Sequence, residues 1–292
     1  MTEIITSFAD ISQRYAAAFV DLWGCMHNGV SAYPDAVEAM RAFRSGGGKV
    51  VLLTNAPRSR AEVARQIEGL GIPEECYDII ATSGDAARTA MFQGAVGSRV
   101  FFMGEERDKT FFEPLQIVKD PTPIELVPLD EAEGIVCCGP FDPHAAPEEL
   151  RPELLLAKTR GLTLLCANPD LIVDRGDSRE YCAGAVAELY EKMGGEALYF
   201  GKPHPPIYDL ARRRLASLGD LPADGRIVAI GDGIATDIAG AAGEDIDSLF
   251  ITGGLAAEET RTQPGGQPEG GALGAFLQTA MMTPTYAMGF LR

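Results

Sequence analysis

Short apolar runs that each stop at a polar residue constrain this chain most. Ala17–Val20 ends at Asp21, Lys49–Leu53 ends at Thr54 and Asn55, Ala197–Phe200 stops just before Lys202, and Arg226–Ile230 just before Asp232. Between them lie stretches with helical spacing, among them Pro34–Ser45, Ser59–Leu70 and Pro206–Leu218. Strands that alternate with helices predict an α/β fold, a largely parallel sheet covered on both faces. Open sheets of this kind bind ligands outside the carboxyl ends of their strands, so the four polar ends are expected to converge in one crevice.

A chain of 292 residues exceeds the usual single core, which argues for an insertion or a second domain. The rhythm does change in the middle. Strand-like runs at Arg99–Met103, Gly134–Cys138 and Leu162–Cys166 carry no acidic ends, and Pro- and acid-rich stretches separate them. The reading is a core domain formed by 1–84 and 197–292, with 85–196 inserted as an α/β cap. Thr82-Ser83-Gly84 reads as a turn at the entry to the insertion, and 264–274 as a Gly-rich surface loop before a short apolar tail. Gly46-Gly47-Gly48 reads as a helix stop, because Val50 stands where a phosphate loop needs Ser or Thr.

A net charge of −17 repels nucleic acid and anionic membrane surfaces, so neither is expected as a partner. No apolar run approaches the roughly 18 residues of a membrane span. The start, Met1-Thr2-Glu3-Ile4, lacks a basic region followed by an apolar stretch, and a cytoplasmic protein is expected. Six cysteines without C-x-x-C spacing read as reduced, buried, small apolar residues. Whether the chain forms a homodimer stays open at this level.

The chemistry begins with Asp21. A carboxylate attacks phosphorus only when the target's negative charge is neutralised first. Asp232, in Gly231-Asp232-Gly233, would share a hard cation with Asp21, and Mg2+ suits two carboxylates, a backbone carbonyl, waters and a phosphate oxygen. The Trp23 main chain would supply the carbonyl. Asp237 would orient Asp232 or a metal-bound water. Thr54 and Asn55 would face the phosphoryl oxygens, and Lys202 would add a point charge that stabilises the transition state. Each residue also has a plain alternative: Asp-Gly is a common turn, Thr-Asn before Pro57 starts a helix, and Lys202 before Pro203 is a solvated loop cation. Their order, each after an apolar run, is what favours the joint reading.

These motifs resemble the haloacid dehalogenase-like superfamily, and more narrowly its NagD-like branch (type IIA, C2-capped). Asp21-Leu22-Trp23-Gly24 aligns with the nucleophile motif, Leu53-Thr54-Asn55 with the second, Gly201-Lys202-Pro203 with the third, and Gly231-Asp232-Gly233 through Asp237 with the fourth. Ala81-Thr82-Ser83, Ala167-Asn168-Pro169-Asp170 and Thr252-Gly253-Gly254 are further branch-like features. The resemblance implies a Rossmann-like parallel-sheet core with an inserted cap. It also implies a magnesium-dependent phosphohydrolase that acts on a small phosphorylated metabolite through an aspartyl-phosphate intermediate.

Trp23 departs from the pattern, because phosphatases of this superfamily usually carry a second Asp two residues after the nucleophile. Indole neither protonates a leaving alcohol nor activates water. Loss of a general acid typically costs about 10²- to 10⁴-fold in rate, so slow turnover is expected. His27 is a substitute acid or a loop residue, and Trp23 itself is core filler or an aromatic wall for the substrate. Asn168, Asp170 and His204 are the expected substrate and cap contacts, with plain turn or helix-entry readings beside them. Two alternatives remain open: a non-catalytic phosphometabolite-binding protein, and a phosphotransferase.

Overall fold

A computed structural model describes residues 2–115, 118–175 and 178–292. In chain order the first strands are β1 (Glu3–Ile4), β2 (Ala17–Val20), β3 (Lys49–Thr54), β4 (Ile79–Thr82), β5 (Arg99–Met103), β6 (Glu125–Leu126) and β7 (Gly134–Cys137). They continue as β8 (Thr163–Cys166), β9 (Ile172–Arg175), β10 (Ser178–Tyr181), β11 (Glu196–Tyr199), β12 (Ile227–Gly231), β13 (Asp247–Ile251) and β14 (Tyr286–Met288). The α-helices are α1 (Pro34–Ser45), α2 (Arg60–Leu70), α3 (Ser83–Phe92), α4 (Arg151–Thr159), α5 (Ala183–Lys192), α6 (Pro205–Ala216), α7 (Ala239–Gly243) and α8 (Gly270–Ala280). The chain forms two compact units, one of Met1–Thr54, Ala64–Ala81 and Tyr208–Arg292, the other of Asn55–Val63 and Thr82–Ile207.

The first unit is built on a seven-stranded sheet in the order β1-β14-β13-β12-β2-β3-β4. The strand β2 lies parallel to both β12 and β3, with Val20 level with Ile230 on one side and Leu52 on the other. Every residue of β2 and β12 is buried, as expected of central strands covered on both faces. The helix α1 starts with Pro34 at its first turn, carries Arg44 in its last turn, and buries Ala36, Val37, Met40 and Phe43 along one stripe. Its last turn is tied to the sheet. Arg44 Nε and Nη2 each donate to the Asp78 carboxylate at 3.0 Å, and the Val50 N–H donates to the same group at 2.9 Å.

The second unit holds a five-stranded sheet in the order β11-β8-β7-β5-β6, with every pair parallel, and a separate antiparallel pair, β9 with β10. Side chains alternate across β7, so that Ile135 and Cys137 join one core and Val136 and Cys138 the other. The first core is closed by Leu154 and Ala157 of α4 and by Val186 and Tyr190 of α5; the second by Ala87, Met91 and Phe92 of α3.

Four sequence expectations change here. The run at 197–200 does not return to the first sheet: β11 pairs with β8, Ala197 level with Leu164, because its apolar residues pack on the second unit's cores. Thr82-Ser83-Gly84 is a helix start, with Thr82 as cap accepting the Asp85 N–H at 2.9 Å. Gly84 is needed there for close packing, since a Cβ would stand 2.4 Å from the Pro57 backbone. The glycines of 264–274 run into α8, where Leu273 and Leu277 bury against Phe250 and Ala287; this burial overrides the low helix propensity of glycine. The apolar tail becomes β14, which pairs with β13 and β1.

Candidate active site

Asp21 follows β2, and Asp232 follows β12, the neighbouring parallel strand. Chain order reverses direction about this pair: β3 and β4 lie to one side of β2, and β12, β13 and β14 to the other. A crevice at such a switch point is where open α/β sheets place ligands. Asp21 is anchored by its own N–H, which donates to the Ile230 carbonyl at 2.8 Å. Thr54 closes β3 on the other flank, and Asp21, Thr54, Asp232 and Asp237 are all buried.

The Asp232 carboxylate is held in a slot made of glycines. A Cβ on Gly24 would lie 2.0 Å from its Oδ2, and one on Gly254 only 1.9 Å away. Gly24 also has a φ of +68°, a conformation that side-chain-bearing residues rarely adopt. The Leu255 N–H donates to the same Oδ2 at 3.0 Å. Gly24 and Gly254, read in the sequence only as parts of motifs, are thus the walls that fix Asp232. Asp237 is held similarly: it lies in a π-helical turn, Ile234–Ile238, and accepts the Gly233 N–H at 3.2 Å. A Cβ on Gly231 would reach 2.0 Å from its Cγ.

Sequence reasoning missed one member of this cluster. The Sγ of Cys25 and carboxylate oxygens of Asp21 and Asp232 all lie within 4.8 Å of one another, and all three residues are buried. The only hint in the sequence was the place of Cys25 in the strand-end loop, four residues after Asp21. Close by, burial pushes the Tyr33 phenol up from its usual pKa, and electrostatic interaction with the Cys25 and Asp232 side chains adds to the effect. Burial likewise pushes Cys137 up to about 12 and Cys138 and Cys166 well above the ordinary thiol value. Those three thiols fit the reading of inert, apolar filler.

Trp23 and His27 form one packed group. Their rings meet edge to face at 5.0 Å, and a Cβ on Gly29 would fall 2.4 Å from the indole. His27 is buried, and its Nδ1 accepts the Gly29 N–H at 2.9 Å, which leaves Nε2 to carry the proton of the neutral ring.

In the second unit Asn55 is the organising side chain. Its Oδ1 accepts the Lys202 N–H at 2.7 Å, so its Nδ2 is the donor, to Asp170 Oδ1 at 2.8 Å and to the Lys202 carbonyl at 3.1 Å. The amide expected to face a phosphate therefore spends both hydrogens on protein acceptors, and Asn55 positions Lys202 and Asp170. Asn168 accepts the Asp170 N–H at 3.0 Å and shapes the turn that carries Asp170. A Cβ on Gly201 would collide with Asn55 Oδ1 at 2.4 Å, so glycine is required before Lys202. His204 stacks on Tyr199 with ring centroids 4.6 Å apart, at the entry to α6. Burial lowers its pKa, and Glu191 opposes the shift. Of the four polar strand ends, Asp21, Thr54 and Asp232 belong to the seven-stranded sheet; Lys202 follows β11 of the other sheet.

The donor set on the first sheet fits a divalent cation. Two buried carboxylates this close repel each other and pay a desolvation cost that a cation between them would offset.

A parallel sheet with paired acids at its switch point defines a class of ligand-binding α/β proteins. Residues 18–117 match the family model described as haloacid dehalogenase-like hydrolase, and residues 199–271 match a second, HAD-hydrolase-like model. A crystal structure of a haloacid dehalogenase-like hydrolase from Brucella suis 1330 is 36% identical, with a TM-score of 0.85 over 99% of this chain and 100% of that one. The chain belongs to the haloacid dehalogenase-like hydrolase family, and its fold is the NagD-like one. A p-nitrophenyl phosphatase from Archaeoglobus fulgidus shares that fold at 21% identity, with a TM-score of 0.68 over 94% of this chain and 96% of the other. D-glycerol 3-phosphate phosphatase of Mycobacterium tuberculosis is 27% identical over 84% of this chain, which spans 65% of that protein's length.

Proposed function

We propose that this protein hydrolyses phosphoric monoesters of a small metabolite, with Asp21 as nucleophile. The observation that carries the reading is the buried pairing of Asp21 and Asp232 at the carboxyl ends of adjacent parallel strands. The named phosphatases among its relatives support it.

In this reading Asp21, Asp232, Asp237 and the Trp23 carbonyl hold Mg2+. When bound, the ion neutralises the phosphate's charge. Asp21 attacks phosphorus as the ester oxygen departs, which forms an aspartyl phosphate that water then opens. Thr54 and Lys202 take the phosphoryl oxygens, and Asn55 sets the backbone of Lys202. Trp23 stands where a leaving-group acid would be expected. Aryl phosphates, whose phenolates leave without protonation, are therefore the faster substrates.

The test is release of p-nitrophenol from p-nitrophenyl phosphate with added Mg2+, for wild type and Asp21→Asn. Turnover that disappears in Asp21→Asn upholds the assignment. Tight binding of phosphorylated ligands with no phosphate released would replace it with a binding role, and transfer of phosphate to added alcohols or sugars would make the protein a phosphotransferase.

A further inference from the structure

The third member of the buried cluster, Cys25, has no part in the mechanism above. It is held there by the loop itself. The Gly24 φ of +68° turns the chain after Trp23, and the Met26 N–H donates back to the Leu22 carbonyl at 2.8 Å. The Gly24 N–H donates to the His27 carbonyl at 3.0 Å and closes the loop around Cys25. The result is a sulfur whose distance to the Asp21 and Asp232 oxygens is that of ligands around one ion, 4.8 Å at most.

We infer that Cys25 is a ligand of the ion held by Asp21 and Asp232, so that this site retains thiophilic divalent ions such as Zn2+ and Cd2+ far better than an all-oxygen site does. The inference rests on the reading that these two carboxylates bind a divalent ion. The physical basis is ligand softness. Mg2+ takes oxygen donors and gains nothing from sulfur, whereas a thiolate favours Zn2+ and softer ions strongly. Binding forms an Sγ–metal bond and releases the thiol proton to solvent. No oxidant or reductant is involved. All three donors are buried, so a bound divalent ion would offset the charge of the carboxylates, and of the sulfur once its proton has left, where solvent screens little. Cys25 thus gives one site two grades of occupant: a hard ion held by the carboxylates, and a softer ion held by carboxylates and sulfur together.

The experiment is titration of the full chain with Cd2+, read by the ultraviolet thiolate-to-cadmium charge-transfer band. Mn2+ binding is measured in parallel by electron paramagnetic resonance. Wild type is expected to gain a band that saturates at one equivalent. Cys25→Ser should lose that band and bind Cd2+ at least about tenfold more weakly, while its Mn2+ affinity changes by less than about threefold. Asp232→Asn should weaken both ions. An undiminished band in Cys25→Ser would place the cadmium on other thiols and overturn the inference. Normal Mn2+ binding with no band in wild type would also overturn it, leaving the two-carboxylate ion site intact. Failure of wild type to bind either ion would sink both. Should Cys25→Ser not fold, cadmium NMR of the wild-type complex decides the matter: a shift far downfield of an all-oxygen site upholds sulfur ligation, and an oxygen-like shift refutes it.

Discussion

A single methyl group at Gly254 tests whether Asp232 is placed by backbone packing. A Cβ there would sit 1.9 Å from Asp232 Oδ2, against an ordinary contact of 3.4 Å or more, so the carboxylate must retreat by about 1.5 Å. It has little room, because Gly24 stands 2.0 Å by the same measure from the same oxygen, and the Leu255 N–H bond at 3.0 Å must break as the group moves. Overpacking of this kind costs about 1–3 kcal/mol in stability. The larger effect falls on ion binding, since disturbing the outer-shell support of a ligand typically costs about 10- to 100-fold in metal affinity. Thermal unfolding and Mn2+ binding of Gly254→Ala measure the two terms separately. Gly24→Ala should be worse in stability by roughly a further 1 kcal/mol, because its φ of +68° penalises any Cβ. If Gly254→Ala binds Mn2+ like wild type, Asp232 is not positioned by this slot.

Two further outcomes follow from other parts of the molecule. Trp23→Asp should raise turnover more for alkyl than for aryl phosphates, because only the poorly leaving alkoxide needs the added acid; equal gains in a phosphate-release assay would show that Trp23 acts only by filling space. Burial alone would raise the Asp78 pKa, but the Arg44 fork, the Val50 N–H and Lys49 outweigh it and hold the carboxyl below its ordinary value. A depressed carboxylate stabilises the fold above its unfolded pKa of about 3.9 and loses that contribution as pH falls through the lower, folded value. Asp78→Asn should therefore lower the melting temperature at pH 7, with the gap to wild type closing as pH falls below the unfolded value and through the lower, folded one; a gap that is constant with pH would refute the assignment.

Much of the architecture was legible because it depends on local pattern. Apolar runs of four to six residues, helices with one buried stripe and polar residues at strand ends gave the α/β class. The same pattern put Asp21, Thr54 and Asp232 at strand ends expected to share one edge; that β2, β3 and β12 are neighbours came from the parallel pairing. The glycine-rich stretch at 264–274 was misread as loop because glycine's own preference is weak evidence once Leu273 and Leu277 find a core.

What the sequence determined by itself, then, is the set of central strands and amphipathic helices and the acids at the strand ends, because these follow from residue type and spacing. Only tertiary structure decided the rest. An apolar run carries no label for its sheet, so the partner β8 assigned β11, and with it the strand before Lys202, to the second unit. An amide has no preferred acceptor, so proximity committed Asn55 to Asp170 and the Lys202 backbone. And a buried cysteine is inert or a ligand according to what its sulfur faces, which for Cys25 is a pair of carboxylates.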